Sequence, residues 1–130
     1  MRVGSLEVVA AAGLFAYAAL RRPKAPEDAG SVMRLALDVY EHGRLRHVEL
    51  DCPAVVGRSP ETDLMVLDPE VSRRHARFEN DGKVVFLTDL ESSNGTFLNG
   101  KRLRETIEVR PGDQIDVGAA RVTFLGGTLR

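Results

Sequence analysis

Val56-Gly57-Arg58, Val71-Ser72-Arg73-Arg74-His75-Ala76 and Ser92-Ser93-Asn94-Gly95-Thr96-Phe97-Leu98-Asn99-Gly100 follow one another at loop-sized intervals between short apolar runs. Working outward, Arg34–Tyr40 and Arg44–Leu50 alternate apolar and polar residues around Glu41-His42-Gly43, which reads as a hairpin. Further short strands are expected at Ala54–Val56, Leu64–Val66, Ala76–Asn80, Lys83–Thr88, Thr96–Leu98, Lys101–Leu103, Gln114–Val117 and Arg121–Leu125. Asn80-Asp81-Gly82 and Asn99-Gly100 are tight-turn signals, because Asn and Gly accept positive φ. After residue 30 no segment sustains a helical period over three turns. Short strands with turns every eight to twelve residues argue an all-β sandwich.

Thr88-Asp89-Leu90 precedes the Ser-Ser-Asn-Gly turn, and Arg110-Pro111-Gly112-Asp113-Gln114-Ile115 lies near the carboxy end. The fixed order of all these motifs, over roughly residues 33–127, resembles the forkhead-associated (FHA) domain. The resemblance implies a β-sandwich of about ten or eleven strands that binds phosphothreonine peptides. It also implies a preference for threonine over serine, whose missing γ-methyl is worth about 0.8 kcal/mol when buried.

A phosphothreonine carries roughly −1.5 to −2 charges and three acceptor oxygens. A site for it needs a guanidinium, hydroxyl donors and free backbone N–H groups converging from loops. By resemblance, Arg58 contacts the phosphate, Ser72 binds it through its hydroxyl, and Arg73 adds a second cation. Ser93 offers a hydroxyl or backbone N–H, and Asn94 pairs with the ligand main chain beside the phosphothreonine. His75 is implied to brace the loops from inside, with Gly57, Gly95, Thr96, Asn99 and Gly100 shaping them. Asp89 and Asp113 are expected to bind backbone N–H groups in their turns rather than a metal. Each of these residues also has a plainer reading: Arg58 as a solvated arginine, Ser-Ser-Asn-Gly as simply a good turn.

A nucleophilic serine needs a base in reach, an orienting acid and an oxyanion site. Ser72 and His75 stand three apart in a turn with no Gly-x-Ser-x-Gly elbow, so a catalytic role is not expected. The binding chemistry requires no cofactor or metal, and His42, His47, His75 and Cys52 do not form a zinc spacing. A single cysteine excludes an intramolecular disulfide. A net charge of −1 does not suggest a general nucleic-acid binder, which would carry a basic excess, so no nucleic-acid partner is expected.

At 130 residues there is room for one domain of about 100 residues plus an extension. Residues 8–20 carry no charge, and the run reaches back to Val3 with Glu7 inside it. A bilayer core asks for about 20 apolar residues, and Arg21-Arg22-Pro23-Lys24 would stay cytoplasmic. The expected organisation is an apolar helix over 1–21 that spans a membrane through residues 3–20, a flexible linker over 22–31, and the FHA domain over 32–130. A peripheral packing helix is the competing reading, and a cleaved signal peptide, suggested by Ala16-Tyr17-Ala18, is a third. The functional expectation is a module recruiting a threonine-phosphorylated product of a Ser/Thr kinase, with the domain at the cytoplasmic membrane face or otherwise in the cytoplasm. The alternative is a membrane-associated scaffold that uses the same sandwich without phosphate.

Overall fold

From Met33 to Glu41 the side chains alternate between core and surface. Met33, Leu35, Leu37 and Val39 are buried, while Arg34 and Tyr40 are exposed. This first strand, β1, is one of eleven in the computed structural model, which describes residues 32–130. The expected amino-terminal helix, the span through residues 3–20 and the linker over 22–31 lie outside the described residues. No helix among the described residues is long and apolar enough to cross a membrane.

The other strands are β2 (Arg44–Asp51), β3 (Ala54–Gly57), β4 (Leu64–Met65), β5 (Ala76–Asn80), β6 (Val85–Asp89), β7 (Thr96–Leu98), β8 (Lys101–Arg102), β9 (Ile107–Val109), β10 (Gln114–Val117) and β11 (Ala120–Leu129). One sheet runs β2-β1-β11-β10-β7-β8 and the other β4-β3-β5-β6-β9. All pairings are antiparallel except β3 with β4. The inward residues of both sheets meet in one core. Phe124 of the first sheet stacks on Phe78 of the second, with ring centroids 6.4 Å apart and planes 22° apart. Cys52 is buried there too, and burial pushes its thiol up to about 12, so it behaves as a small apolar group.

Two hairpins fix the register. His42-Gly43 (φ 54° and 74°) and Asn99-Gly100 (φ 50° and 87°) are two-residue turns with both central residues left-handed, the geometry that matches strand twist. Strand β2 is an edge and is covered by charge. Arg34 bonds Glu49 and Asp51, Arg130 bonds Asp51, and His47 lies 3.0 Å from Asp38 and 3.4 Å from Glu49.

Three details depart from the sequence expectation. Strand β9 was not anticipated: it forms by pairing with β6, and three residues are too few to show a period. Strand β6 starts at Val85 rather than Lys83, because the Asp81 carboxylate accepts the N–H groups of Lys83 and Val84 and prolongs the turn. Strand β11 runs on through Gly126-Gly127 to Leu129, with a register shift opposite Ala36/Leu37 absorbed where Gly126 has φ 144°.

Removing the stacked ring of Phe78 leaves a void between the sheets. Phe78→Ala should lower unfolding free energy by about 3–5 kcal/mol in urea denaturation; a loss below about 1 kcal/mol would contradict this packing. The edge charges make a second prediction. Bonding to Asp38, then to Glu49, raises the pKa of His47 above its usual 6.5. Its stabilisation is complete below the unfolded pKa of about 6.5 and is lost as pH rises through the higher folded value. The urea midpoint of the native chain should therefore fall relative to His47→Gln from mildly acidic to alkaline pH. The effect is small because the group is exposed, and superimposable pH profiles would refute it.

Candidate functional site

The loops β3–β4, β4–β5 and β6–β7 meet at one end of the sandwich, tied together by main-chain bonds. Arg58 N donates to Ser72 O (3.0 Å), Ser59 N to Arg73 O (3.2 Å) and Leu90 N to His75 O (2.8 Å). Gly57 permits this close pass of the first two loops: a Cβ there would stand 2.1 Å from the Arg73 carbonyl oxygen, so only glycine lets the two backbones approach this closely.

His75 is fully buried. Its Nδ1 accepts the Ser72 N–H at 3.0 Å, so Nε2 carries the proton and donates to Gly95 O at 2.8 Å. One imidazole thus joins the loop carrying Ser72 and Arg73 to the loop carrying Ser93 and Asn94. Both ring nitrogens are engaged with the backbone, which leaves none to take a proton from the Ser72 hydroxyl.

The 89–96 turn is organised by Asp89. Its Oδ1 accepts the hydroxyls of Ser92 and Thr96, both at 2.6 Å, and its Oδ2 accepts Ser92 N–H at 3.1 Å. Burial raises the carboxyl's pKa, but these hydrogen bonds outweigh it and hold Asp89 below its ordinary value. The Ser92 hydroxyl in turn accepts Gly95 N–H, closing the turn. Gly95 has φ 91° and lies under the Arg102 side chain, whose Nε would be 2.7 Å from a Cβ there.

This framework positions the exposed groups. Arg58 Nε donates to Val71 O at 2.9 Å, and no bond or ion pair among the described residues engages its two Nη nitrogens. The Ser72 hydroxyl oxygen accepts Ser93 N–H at 3.0 Å, which leaves its own proton free to donate outward. Asn94 Nδ2 donates to Glu70 O at 2.8 Å, crossing between the loops. Arg73 and Arg74 are exposed, and neither side chain is paired among the described residues. Arg58, Ser72, Ser93 and Asn94 are therefore linked in one cluster, with the Arg73 backbone bonded into it. Asn99 and Gly100 lie away from this bonding, in the β7–β8 turn. There Asn99 bonds Asp113 and Gln114 N–H, while Asp113 also accepts Arg110 N–H.

Sequence reasoning missed two contributors. Arg102, exposed on β8, brings a guanidinium over Gly95, and only the two-residue β7–β8 turn that places it opposite Phe97 could have signalled it. Asp68 accepts Glu70 N–H (2.9 Å) and Ala119 N–H (2.7 Å), anchoring the β4–β5 loop to the β10–β11 turn. Those two bonds hold its carboxyl below the usual range.

Replacing His75 by alanine leaves Ser72 N–H and Gly95 O without their partner and opens a void. His75→Ala should cost about 2–4 kcal/mol of unfolding free energy and broaden the amide resonances of both loops. A variant that melts like the native chain would overturn the bracing role.

Comparison with known proteins agrees with this geometry. A model of the FHA domain family matches residues 54–118, half of the chain. An oxoglutarate dehydrogenase inhibitor of Corynebacterium glutamicum is 41% identical over 80 residues, covering 60% of this chain and 54% of that protein. The glycogen accumulation regulator GarA of Mycolicibacterium smegmatis is 37% identical over 79 residues, covering 60% and 49%. The chain thus spans about half the length of the curated relatives it matches. Among solved structures, Mycobacterium tuberculosis EmbR in complex with a low-affinity phosphopeptide superposes with a TM-score of 0.64 at 26% identity, over 69% of this chain and 24% of that one. The matched residues run from the strand before Arg58 to the turn after β10 and contain the β3–β4, β4–β5 and β6–β7 loops, and on that match the chain belongs to the FHA domain family.

Proposed function

We propose that this chain is a phosphothreonine-peptide reader whose ligand phosphate sits between Arg58 and Ser72. The observation that carries the reading is the state of Arg58. Its Nε is spent on Val71 O, which aims the guanidinium, while its Nη groups keep their donors for a dianion. Beside it the Ser72 hydroxyl is held by Ser93 N–H with its proton free. Arg73 adds positive charge, and the Ser93 hydroxyl lies at the same junction. Asn94, fixed through Nδ2, keeps Oδ1 to accept an N–H from the ligand main chain. EmbR, a fold relative, was solved with a phosphopeptide, which supports the same ligand class here.

The module recruits rather than transforms its partner, a threonine-phosphorylated product of a protein kinase. Retention at a membrane is a separate part of the proposal and rests on the composition of residues 3–20 and the basic Arg21-Arg22-Pro23-Lys24. In this arrangement residues 32–130 form the reader and 22–31 its tether.

A charge-assisted hydrogen bond is worth about 1.5–3 kcal/mol net. Arg58→Ala and Ser72→Ala should each weaken binding of a phosphothreonine peptide selected from a degenerate library by about tenfold or more, with unchanged circular dichroism. Isothermal titration gives the answer. Native affinity in either variant, or equal binding of the unphosphorylated peptide, would sink the site and favour a phosphate-independent scaffold.

A further inference from the structure

Five cross-strand pairs place six residues in one line across the whole outer face of the first sheet. Leu45 pairs Tyr40, Tyr40 pairs Arg121, Arg121 pairs Asp116, Asp116 pairs Phe97, and Phe97 pairs Arg102. Directly opposed residues point to the same face, so the row runs Leu45-Tyr40-Arg121-Asp116-Phe97-Arg102. Leu45 is 66% and Tyr40 51% exposed, large values for apolar side chains on a sheet face. A shallow depression lies along the row, lined by Tyr40, Phe97, Asp116, Arg121, Gly118 and Ala119. At its centre Arg121 Nε bonds Asp116 Oδ1 at 2.8 Å, in an ion pair still open to solvent.

The row has the right order to pair with itself. Its midpoint falls between Arg121 and Asp116, on β11 and β10, which are the middle strands of the six. A two-fold axis parallel to the strands and passing between β10 and β11 would set Arg121 of one copy against Asp116 of the other. It would also set Tyr40 against Phe97 and Leu45 against the aliphatic stem of Arg102. A two-fold interface between identical chains must have this property: residue i meets j, and j meets i. The line offers it in charge and in aromatic contact at once. Sheets packed face to face keep their strands nearly aligned, which this axis allows.

We infer that the outer face of the β2-β1-β11-β10-β7-β8 sheet is a docking surface for a second copy of this chain. Because the axis runs along the strands, the loop ends of both copies point the same way. The dimer would then present two of the proposed phosphate sites on one side and hold a doubly phosphorylated partner by avidity. That consequence rests on the phosphate-site reading; the dimer itself does not.

The test is sedimentation velocity of the full chain, in density-matched detergent, with charge variants. The native chain should form a concentration-dependent dimer. Arg121→Asp and Asp116→Arg should each sediment as monomers, since like charges then face each other across the axis. An equimolar mixture of the two variants should recover the dimer, because both cross-axis pairs become opposite again. Loss of the bond within each chain cannot produce that rescue. Tyr40→Glu should also abolish the dimer, while Glu49→Lys, on the same face outside the row, should not. A monomeric native chain, single variants that still dimerise, or a mixture that stays monomeric would each overturn the inference. Phosphopeptide affinity of the monomeric variants, read separately, tests the phosphate site: it should match the native chain for a singly phosphorylated peptide.

Discussion

Side chains on two different loops can meet one small dianion only if the loops are held at a fixed spacing, and in this chain a single imidazole sets that spacing. Fully buried, His75 accepts from Ser72 N–H and donates to Gly95 O. Its two bonds are to backbone, so they fix the paths of the chains and not merely two rotamers. Low local polarity strengthens both bonds and makes the loss of either expensive. The close pass of Gly57 against Arg73 O depends on the same loop path. So does the bond that lets Ser93 N–H reach the Ser72 hydroxyl.

Around that brace the polar groups fall into two sets. One set is inward and saturated: Asp89 with Ser92 and Thr96, and Asp68 with Glu70 and Ala119, where carboxylates neutralise orphan N–H groups and hold irregular loops rigid. The other set is outward and keeps unused capacity: the Nη groups of Arg58, the hydroxyl proton of Ser72 and the exposed Arg73. A rigid inner shell under an unsaturated outer one loses little conformational entropy when an anion arrives, which is how preorganisation contributes to affinity. The sandwich supplies the platform, since the loops spring from strands locked on both sides of the Phe78–Phe124 stack.

Much of this was legible in the amino-acid sequence. The His42-Gly43 and Asn99-Gly100 turns follow from local φ preferences, and the strands of β1 and β5 follow from period-two alternation. Arg58, Ser72, Arg73, Ser93 and Asn94 were named through the resemblance to the FHA domain, and the structure bonds the loops that carry them together at one end of the sandwich. What escaped had no local signal. Strand β9 exists through its partner β6. The extension of β11 crosses a Gly-Gly pair that locally reads as a strand end. The acceptors that orient the site, Val71 O, Gly95 O and Glu70 O, are main-chain atoms that every residue carries, so no residue type announces them. Arg102 reaches Gly95 only because a two-residue hairpin folds β8 back along β7.

The claim that a braced loop junction presents Arg58 and Ser72 to a phosphate is tested most directly by nitrogen-15 NMR of the chain titrated with a phosphothreonine peptide and its unphosphorylated twin. The account predicts that the phosphorylated peptide shifts the Arg58 side-chain Nε–H and the amides of Ser72, Ser93 and Asn94 most. The resonances of the outer row from Leu45 to Phe97 should stay in place, and the unphosphorylated peptide should shift none of these. Equal shifts from both peptides, or a response centred away from Arg58 and Ser72, would contradict it.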